Sequence, residues 1–309
     1  MKKLIYITFV SFLMFCSFLE STAQQDPMFT QYMFNTLSIN PAYAGHANLI
    51  EANLIHRSQW VNFDGAPRTQ SFTIHAPLRK ENIGLGGTIL SDKNGPSSQV
   101  GIFLDASYKI IMDKSSLAFG LKGGLNLYKA ELTALNPVDG TDPIFQSDIV
   151  NEPLMNFGFG LFWSAEKWYL SASLPKLLNN ELIDENLPTF EMNTERRHFF
   201  LGGGFVFDLN NYVKFKPTIL AKMVDGAPPS VDATANFLFY DKFWAGAMYR
   251  TGDAVGMIFQ YEINKKLRLG YSYDYVISDL SSFSGASHEL MIGLDLGKPP
   301  KGEKSPRYF

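Results

Sequence analysis

The sequence predicts an all-β chain folded as a transmembrane antiparallel β-barrel of about fourteen strands, with short periplasmic turns, longer extracellular loops and an amino-terminal plug or cap segment. Three observations predict it: an export signal, long runs of period-two hydrophobic alternation, and connections that are alternately short and long.

The export signal comes first. Lys2-Lys3, the apolar run Leu4 to Leu19 and the residues Ser21-Thr22-Ala23 make the three regions of a secretory signal peptide, with cleavage expected after Ala23. Cys16, the single cysteine, lies inside the apolar run behind the bulky Phe15, so the mature chain is expected to carry neither a lipid anchor nor a disulfide. A net charge of −3 with no block of like charge offers nucleic acid no electrostatic footprint. Past the signal, no apolar stretch is long enough for a membrane-spanning helix, so any crossing falls to strands. The expected organisation is a signal peptide over 1–23, a plug or periplasmic cap over 24–48, a barrel over 49–296 and a basic periplasmic tail over 297–309.

From about Ile50 onward, apolar or aromatic residues alternate with small, polar or charged ones, the mark of strands with one greasy face. Leu267, Leu269, Tyr271, Tyr273 and Tyr275 oppose Arg268, Gly270, Ser272 and Asp274; Leu290, Ile292, Leu294 and Leu296 oppose Glu289, Gly293 and Asp295. Such segments predict strands near 50–60, 69–76, 83–91, 99–111, 116–128, 155–164, 168–174, 197–207, 213–220, 230–239, 243–250, 254–263, 267–276 and 287–296. The second face collects Arg57, Asp105, Lys109, Lys122, Lys214, Lys216, Asp232, Arg250, Glu262, Arg268, Asp274, Glu289 and Asp295, a mixed-sign lumen that is either wet or cross-linked by ion pairs.

Short polar turns fall around Arg79-Lys80, Asp113-Lys114, Glu166-Lys167, Asn210-Asn211, Asp241-Lys242 and Asn264-Lys265. Longer links fall at Val61 to Arg68, Asp92 to Ser97, Lys129 to Leu154, Pro175 to Arg196, Asp225 to Pro229 and Ile277 to Ala286. An even strand count then places both termini on the short-turn side. A soluble antiparallel sandwich also alternates, but its strands are usually shorter than these. Aromatics near strand ends, Trp60, Trp163, Trp168, Tyr169, Trp244 and Tyr249, suit interfacial girdles.

Catalytic chemistry is not signalled. His46, His56, His75, His198 and His288 lack metal-ligand spacing. A His75 and Ser71 pair, placed on the lipid-facing side, lacks an orienting third group or oxyanion hole. The glycines Gly84, Gly86, Gly87 and Gly202 to Gly204 lie inside strands, where they relieve crowding or permit curvature. Asp139-Gly140-Thr141-Asp142 lacks the further ligands of a calcium loop. Neither a cofactor, a metal, a small-molecule substrate nor an enzymatic activity is expected.

Between the cleavage site and the first strand, QQDPMFTQYMFNTLSINPAYAG is too rich in aromatics and methionine for a free tail. Asp26, Pro27, Gln31, Tyr32 and Asn35, followed by Asn40, Pro41, Tyr43 and Gly45, resemble the opening signature of the PorP/SprF family of type IX secretion proteins. Arg57, Gln59 and Trp60, then Gly65, Ala66 and Pro67, resemble its next blocks, and Ser305 to Phe309 is similar to tails of that family. One departure is Asn35-Thr36-Leu37, where the pattern has asparagine followed by proline. The resemblance implies an outer-membrane barrel of the Bacteroidota, serving type IX secretion or gliding, that supports secretion or cell-surface anchoring of an adhesin by binding protein. It carries no catalytic residues. Its expected partners are outer-membrane lipid and either secretion components or a secreted adhesin. Loops commonly carry binding, which points to Lys129–Leu154 and Pro175–Arg196, with Phe145, Leu177, Leu178, Leu182 and Phe190 as apolar anchors. A passive porin or small-molecule channel is the alternative that the same alternation permits.

Overall fold

The computed structural model describes residues 26–47, 49–78, 82–135, 145, 147–183, 191–224, 227–282 and 284–297. The expected signal peptide, the Asp139–Asp142 motif, Phe190 and all but the first residue of the basic tail lie outside them.

Alternation at period two leaves one face of each strand apolar and the other polar, and only a closed sheet hides the polar face of every strand while leaving no unpaired edge. The sheet closes in that way. Its strands are β1 (Ile50–Ser58), β2 (Arg68–Pro77), β3 (Ile83–Asn94), β4 (Ser97–Ile111), β5 (Ser115–Ala130), β6 (Ile149–Ala165) and β7 (Trp168–Leu174). After a separate two-stranded hairpin, β8 (Asn180–Ile183) and β9 (Glu191–Glu195), come β10 (His198–Phe205), β11 (Phe207–Asp208), β12 (Val213–Val224) and β13 (Ala227–Phe239). The last four are β14 (Phe243–Arg250), β15 (Ala254–Asn264), β16 (Leu267–Val276) and β17 (Ser287–Leu296).

Each wall strand pairs antiparallel with its neighbours, β1 with β17 at the seam between chain ends, and β10 with both β7 and β12. Because β10 and β11 are one strand interrupted at Val206, the ring has fourteen strands, as the alternation predicts. The phase is also as expected: Leu104 is 71% exposed and Leu121 68%, whereas the adjacent Asp105 and Lys122 are buried. Apolar side chains face outward and ionic ones inward.

Several boundaries differ from the sequence reading. The links expected at Asp92 to Ser97 and Asp225 to Pro229 are tight, because β3 reaches Asn94 and β13 starts at Ala227; Gly95, at φ +56°, lets β3 turn straight into β4. Likewise β5 runs to Ala130 and β6 begins at Ile149, so part of the expected Lys129–Leu154 loop is strand that continues the hairpin past the shorter β7. The β8–β9 hairpin inside Pro175–Arg196 is not foreseen by alternation. Of the proposed girdle, Trp163 and Tyr249 face outward, but Tyr169 and Trp244 are buried inside the barrel, since each stands one position out of phase with the outward row of its strand. Lys214 sits at the short-turn rim, where it pairs with Asp241.

An outward face that touches hydrocarbon tolerates no charge at mid-strand. Leu121→Lys is expected to destabilise the barrel by roughly 2–4 kcal/mol, read as a lower midpoint of heat-induced mobility change on gels of bilayer-reconstituted protein; an unchanged midpoint would point to a solvated outer face.

Candidate functional site

Residues 26–47 run inside the barrel, against the inward face of the wall. They form three single-turn 3-10 helices, Tyr32–Phe34, Thr36–Ser38 and Pro41–Tyr43, inside the barrel. Such short turns leave many backbone groups without partners, and wall side chains supply them. Thr30 N and Gln31 N donate to the two Glu289 carboxylate oxygens at 2.9 Å each. Thr73 Oγ1 on β2 donates to Asn35 Oδ1 at 2.7 Å, and Ser107 Oγ on β4 donates to the Ala44 carbonyl at 2.6 Å. Asn40 caps the third helix, accepting from Ala42 N through Oδ1, while its amide donates to Leu161 O on β6 and Ser171 Oγ on β7.

Apolar packing completes the seal. Phe29, Tyr32, Met33 and Phe34 pack with Ile55, Phe200, Leu220, Leu238, Trp244, Met248, Ile258 and Met291 from the wall. Leu37, Ala42, Tyr43 and Ala44 form a second cluster with Ala118, Phe162 and Tyr169, in which Tyr43 meets the edges of Phe162 and His75 at 5.3 and 5.4 Å. While a smaller hydrophobic cluster, Tyr128, Ala130 and Leu154, lies in the wall alone, the two larger ones are contacts between the segment and the inside of the wall. Gly84 and Gly120 show how close that contact is: a Cβ on either would overlap the backbone of Ala44 or of Pro41-Ala42.

The buried charges fall into compact groups. Arg57 Nη1 lies 2.8 Å from Asp274 and 3.2 Å from Glu289, and donates to Thr30 Oγ1, which in turn donates to Asp274. Arg268 Nη2 bridges Glu51 at 2.7 Å and Asp295 at 2.8 Å. Arg250 grips Asp232 through two nitrogens, and Lys222 reaches the same carboxylate at 2.7 Å. Lys122 pairs with Asp105 at 2.9 Å. Lys216 stands over the rings of Phe34 and Trp244. The lumen is cross-linked at these points. A cavity of about 740 Å³ remains at the short-turn rim, lined in part by Glu166, Lys167, Asp208, Lys242 and Lys265.

A further group lies at the opposite rim. Lys176, two residues past β7, pairs with Asp26 at 2.9 Å and with Glu195, the last residue of β9, at 3.2 Å. His198 Nδ1 is 3.5 Å from Asp26. Burial alone would raise the Asp26 carboxyl, but Lys176 and His198 outweigh it and hold the group below the ordinary aspartate value of 3.8. Burial would lower Lys176, yet Asp26 and Glu195 prevail and raise it above the ordinary lysine value of 10.5. Glu195 in turn accepts hydrogen bonds from the side-chain amides of Asn126 and Asn156.

The structure gathers Asp26, Pro27, Gln31, Tyr32, Asn35, Asn40, Pro41, Tyr43 and Gly45 into the buried segment, and Arg57 becomes its main charged contact. Gln59, Trp60, Gly65, Ala66 and Pro67 form the β1–β2 connection, in which Gln59 N donates to Pro67 O and Gly95 N to Gly65 O, tying it to the β3–β4 turn. Leu177 and Leu178 are exposed, and Leu182 stands opposite Met192 in the β8–β9 ladder. Phe145 is half-buried. Two readings are corrected. His75 and Ser71 face the lumen and are buried, and His75 Nδ1 accepts from Gly45 N, so the pair is not lipid-facing. The strands do start and end at the short-turn rim, but Asp26 lies at the long-connection end, because the segment before β1 doubles back through the barrel. Sequence reasoning missed Glu51, Lys222, Lys176 and Glu195. Glu51 and Lys222 share the parity of Arg57 and Lys216 on their strands, which was a usable signal; Lys176 and Glu195 lie outside any alternating wall strand and gave none. Among the described residues no cluster of three or more potential ligands is placed to hold a metal.

Removing one partner of a buried ion group leaves the others uncompensated. Arg57→Met should therefore cost about 3–5 kcal/mol, measured as a lowered unfolding midpoint in urea. Gly120→Val should leave the ring assembled but unseat the segment, read as new chymotrypsin cleavage near Phe29 or Tyr32. The Asp26 carboxyl stabilises above the ordinary aspartate value and stops doing so as pH falls through its lowered one, while the Lys176 ammonium stabilises until pH rises through its raised one. The group should thus hold across the neutral range, and protease protection of the segment should weaken only below pH 3.8; Asp26→Asn should weaken it at pH 7.

Residues 21–294 match the family model described as type IX secretion system membrane protein PorP/SprF. No curated protein sequence matches the chain. Among solved structures the chain is similar to CymD, a monoaromatic hydrocarbon channel, with a TM-score of 0.53 and 10% identity over 86% of this chain and 94% of that one. It is also similar to the toluene transporter TodX of P. putida, with a TM-score of 0.48 and 11% identity over 85% and 94%. A third is the Acinetobacter baumannii outer membrane protein Omp33, with a TM-score of 0.47 and 7% identity over 81% and 100%. The likeness to CymD is one of fold.

Proposed function

Because this chain belongs to the PorP/SprF family of type IX secretion system membrane proteins, we propose that it is a non-enzymatic accessory barrel that binds a protein, supporting secretion or surface anchoring of an adhesin. It is an outer-membrane β-barrel. The observation that supports the proposal is the occupied lumen: residues 26–47 contact the wall on β2, β4, β6, β7, β12, β16 and β17.

A plugged barrel presents a rigid platform with loops at one end and turns at the other, which is a binding architecture. The external candidates are the β8–β9 hairpin with Leu177 and Leu178 at its base, and the top of the β5–β6 hairpin, where Val150 is exposed. A periplasmic contact to secretion components would use the short-turn rim and the basic residues 297–309. The β8–β9 hairpin is favoured because its base is locked: Asn156 Oδ1 accepts from Leu177 N and Leu178 N, and Asn156 Nδ2 donates to Leu178 O, so little ordering remains to be lost on binding.

Affinity purification of tagged protein from native outer membranes, followed by mass spectrometry, tests this. A large exported surface protein should co-purify, and replacing residues 181–194 with a short glycine-serine turn should remove it while the barrel stays heat-modifiable; retention of the partner by that variant would overturn the assignment to the hairpin. In planar bilayers the purified protein should show no steady open channel. A lone barrel that conducts ions would support the porin reading instead.

A further inference from the structure

We propose that the mature chain crosses the membrane once more than its wall does: residues 26–47 thread the barrel amino end outward, and Asp26 is fastened on the cell-surface side to the base of the β8–β9 hairpin. The proposal rests on the reading above that the longer connections face outward. It makes the start of the plug part of the surface that a protein seated on the hairpin meets.

The direction follows from the order of contacts. Asp26 meets Lys176 just past the end of β7 and His198 at the start of β10, both at the long-connection rim. Met28 Sδ lies 3.0 Å from Lys222 Nζ, near the same end of β12. Thr30 meets Glu289, Asp274 and Arg57, each within three residues of the rim end of its strand. Next, Tyr32 meets Thr218 in the middle of β12, and Asn35 meets Thr73 in the middle of β2. At the other end, Ala44 meets Ser107, and Gly45, held at φ +67°, packs on Gly84 at the start of β3 and hydrogen-bonds His75 near the end of β2. The chain then enters β1 at Ile50 from the short-turn rim. Exposure follows the same course: residues 26–28 are half-buried and those from Phe29 to Leu37 are buried.

The fastening is specific. Glu195 is fully buried at the end of β9 and is held by Lys176, Asn126 and Asn156, so one carboxylate joins the hairpin, the wall and the lysine that grips Asp26. Displacing the hairpin pulls on that lysine and, through it, on the plug.

An epitope placed between Gln25 and Asp26 should be bound by antibody on intact cells, as should an epitope in the 277–286 connection, whereas an epitope after Phe309 should require permeabilised cells. If the amino-terminal epitope alone is silent on intact cells, the outward threading is wrong while the orientation stands. If the connection epitope is silent too, the orientation fails and takes this proposal with it. A point substitution guards against poor assembly of the insertion: Pro27→Cys, in a mature chain otherwise free of cysteine, should react with a membrane-impermeant maleimide from outside. Adding Lys176→Gln should speed that reaction several-fold, and an unchanged rate would overturn the fastening.

Discussion

A wall whose outer face meets lipid must send every polar and ionic side chain inward, and everything else about this protein answers that constraint. Water would satisfy those side chains at the cost of an open hole. Here neighbouring wall strands pair many of them, and the chain's own first segment meets others, with backbone N–H groups on Glu289, a threonine hydroxyl between Arg57 and Asp274, and the Phe34 ring beneath Lys216. The largest interior cluster forms where the segment brings Phe29, Tyr32, Met33 and Phe34 to apolar wall residues such as Ile258 and Met291 that interrupt the polar inner row.

Much of the wall was legible because alternation is a local signal. Leu269 and Tyr275 outside against Arg268 and Asp274 inside need no knowledge of the partner strand, and the strand count followed from repeating that test. Strand ends were less legible, since Asp92 to Asn94 read as a polar loop yet continue the ladder opposite Ser97 to Gln99. Tyr169 and Trp244 show a different failure: amphipathic aromatics suit both an interface and a core, and only strand phase separates the two. The composition of residues 24–45 signalled that they pack against something, but nothing local gave the direction of their path. That depends on pairs such as Asp26 with Lys176, far apart in sequence and outside the alternating wall. The β8–β9 hairpin was hidden for a similar reason: strands of four and five residues are too short for an alternation to be read.

The residues that resemble the family signature acquire a common physical role. Asn40 caps a turn and reaches two strands, Gly45 turns the chain where a side chain would strike Gly84, and Arg57 anchors the opposite end of the segment. They are the fittings between plug and wall. A motif spread across a tail and a first strand thus gathers at one interior contact.

The cross-linked lumen also changes what kind of reaction sealing is. Withdrawing residues 26–47 would admit water to hydrate Arg57, Asp274, Glu289 and the faces of Trp244 and Phe162, and restoring them expels that water again. A barrel with the segment withdrawn would differ from this one chiefly in bound water. Solutes too large to enter the ring would be excluded from such a hydrated interior and would favour the seated segment, so drier surroundings favour the arrangement seen here.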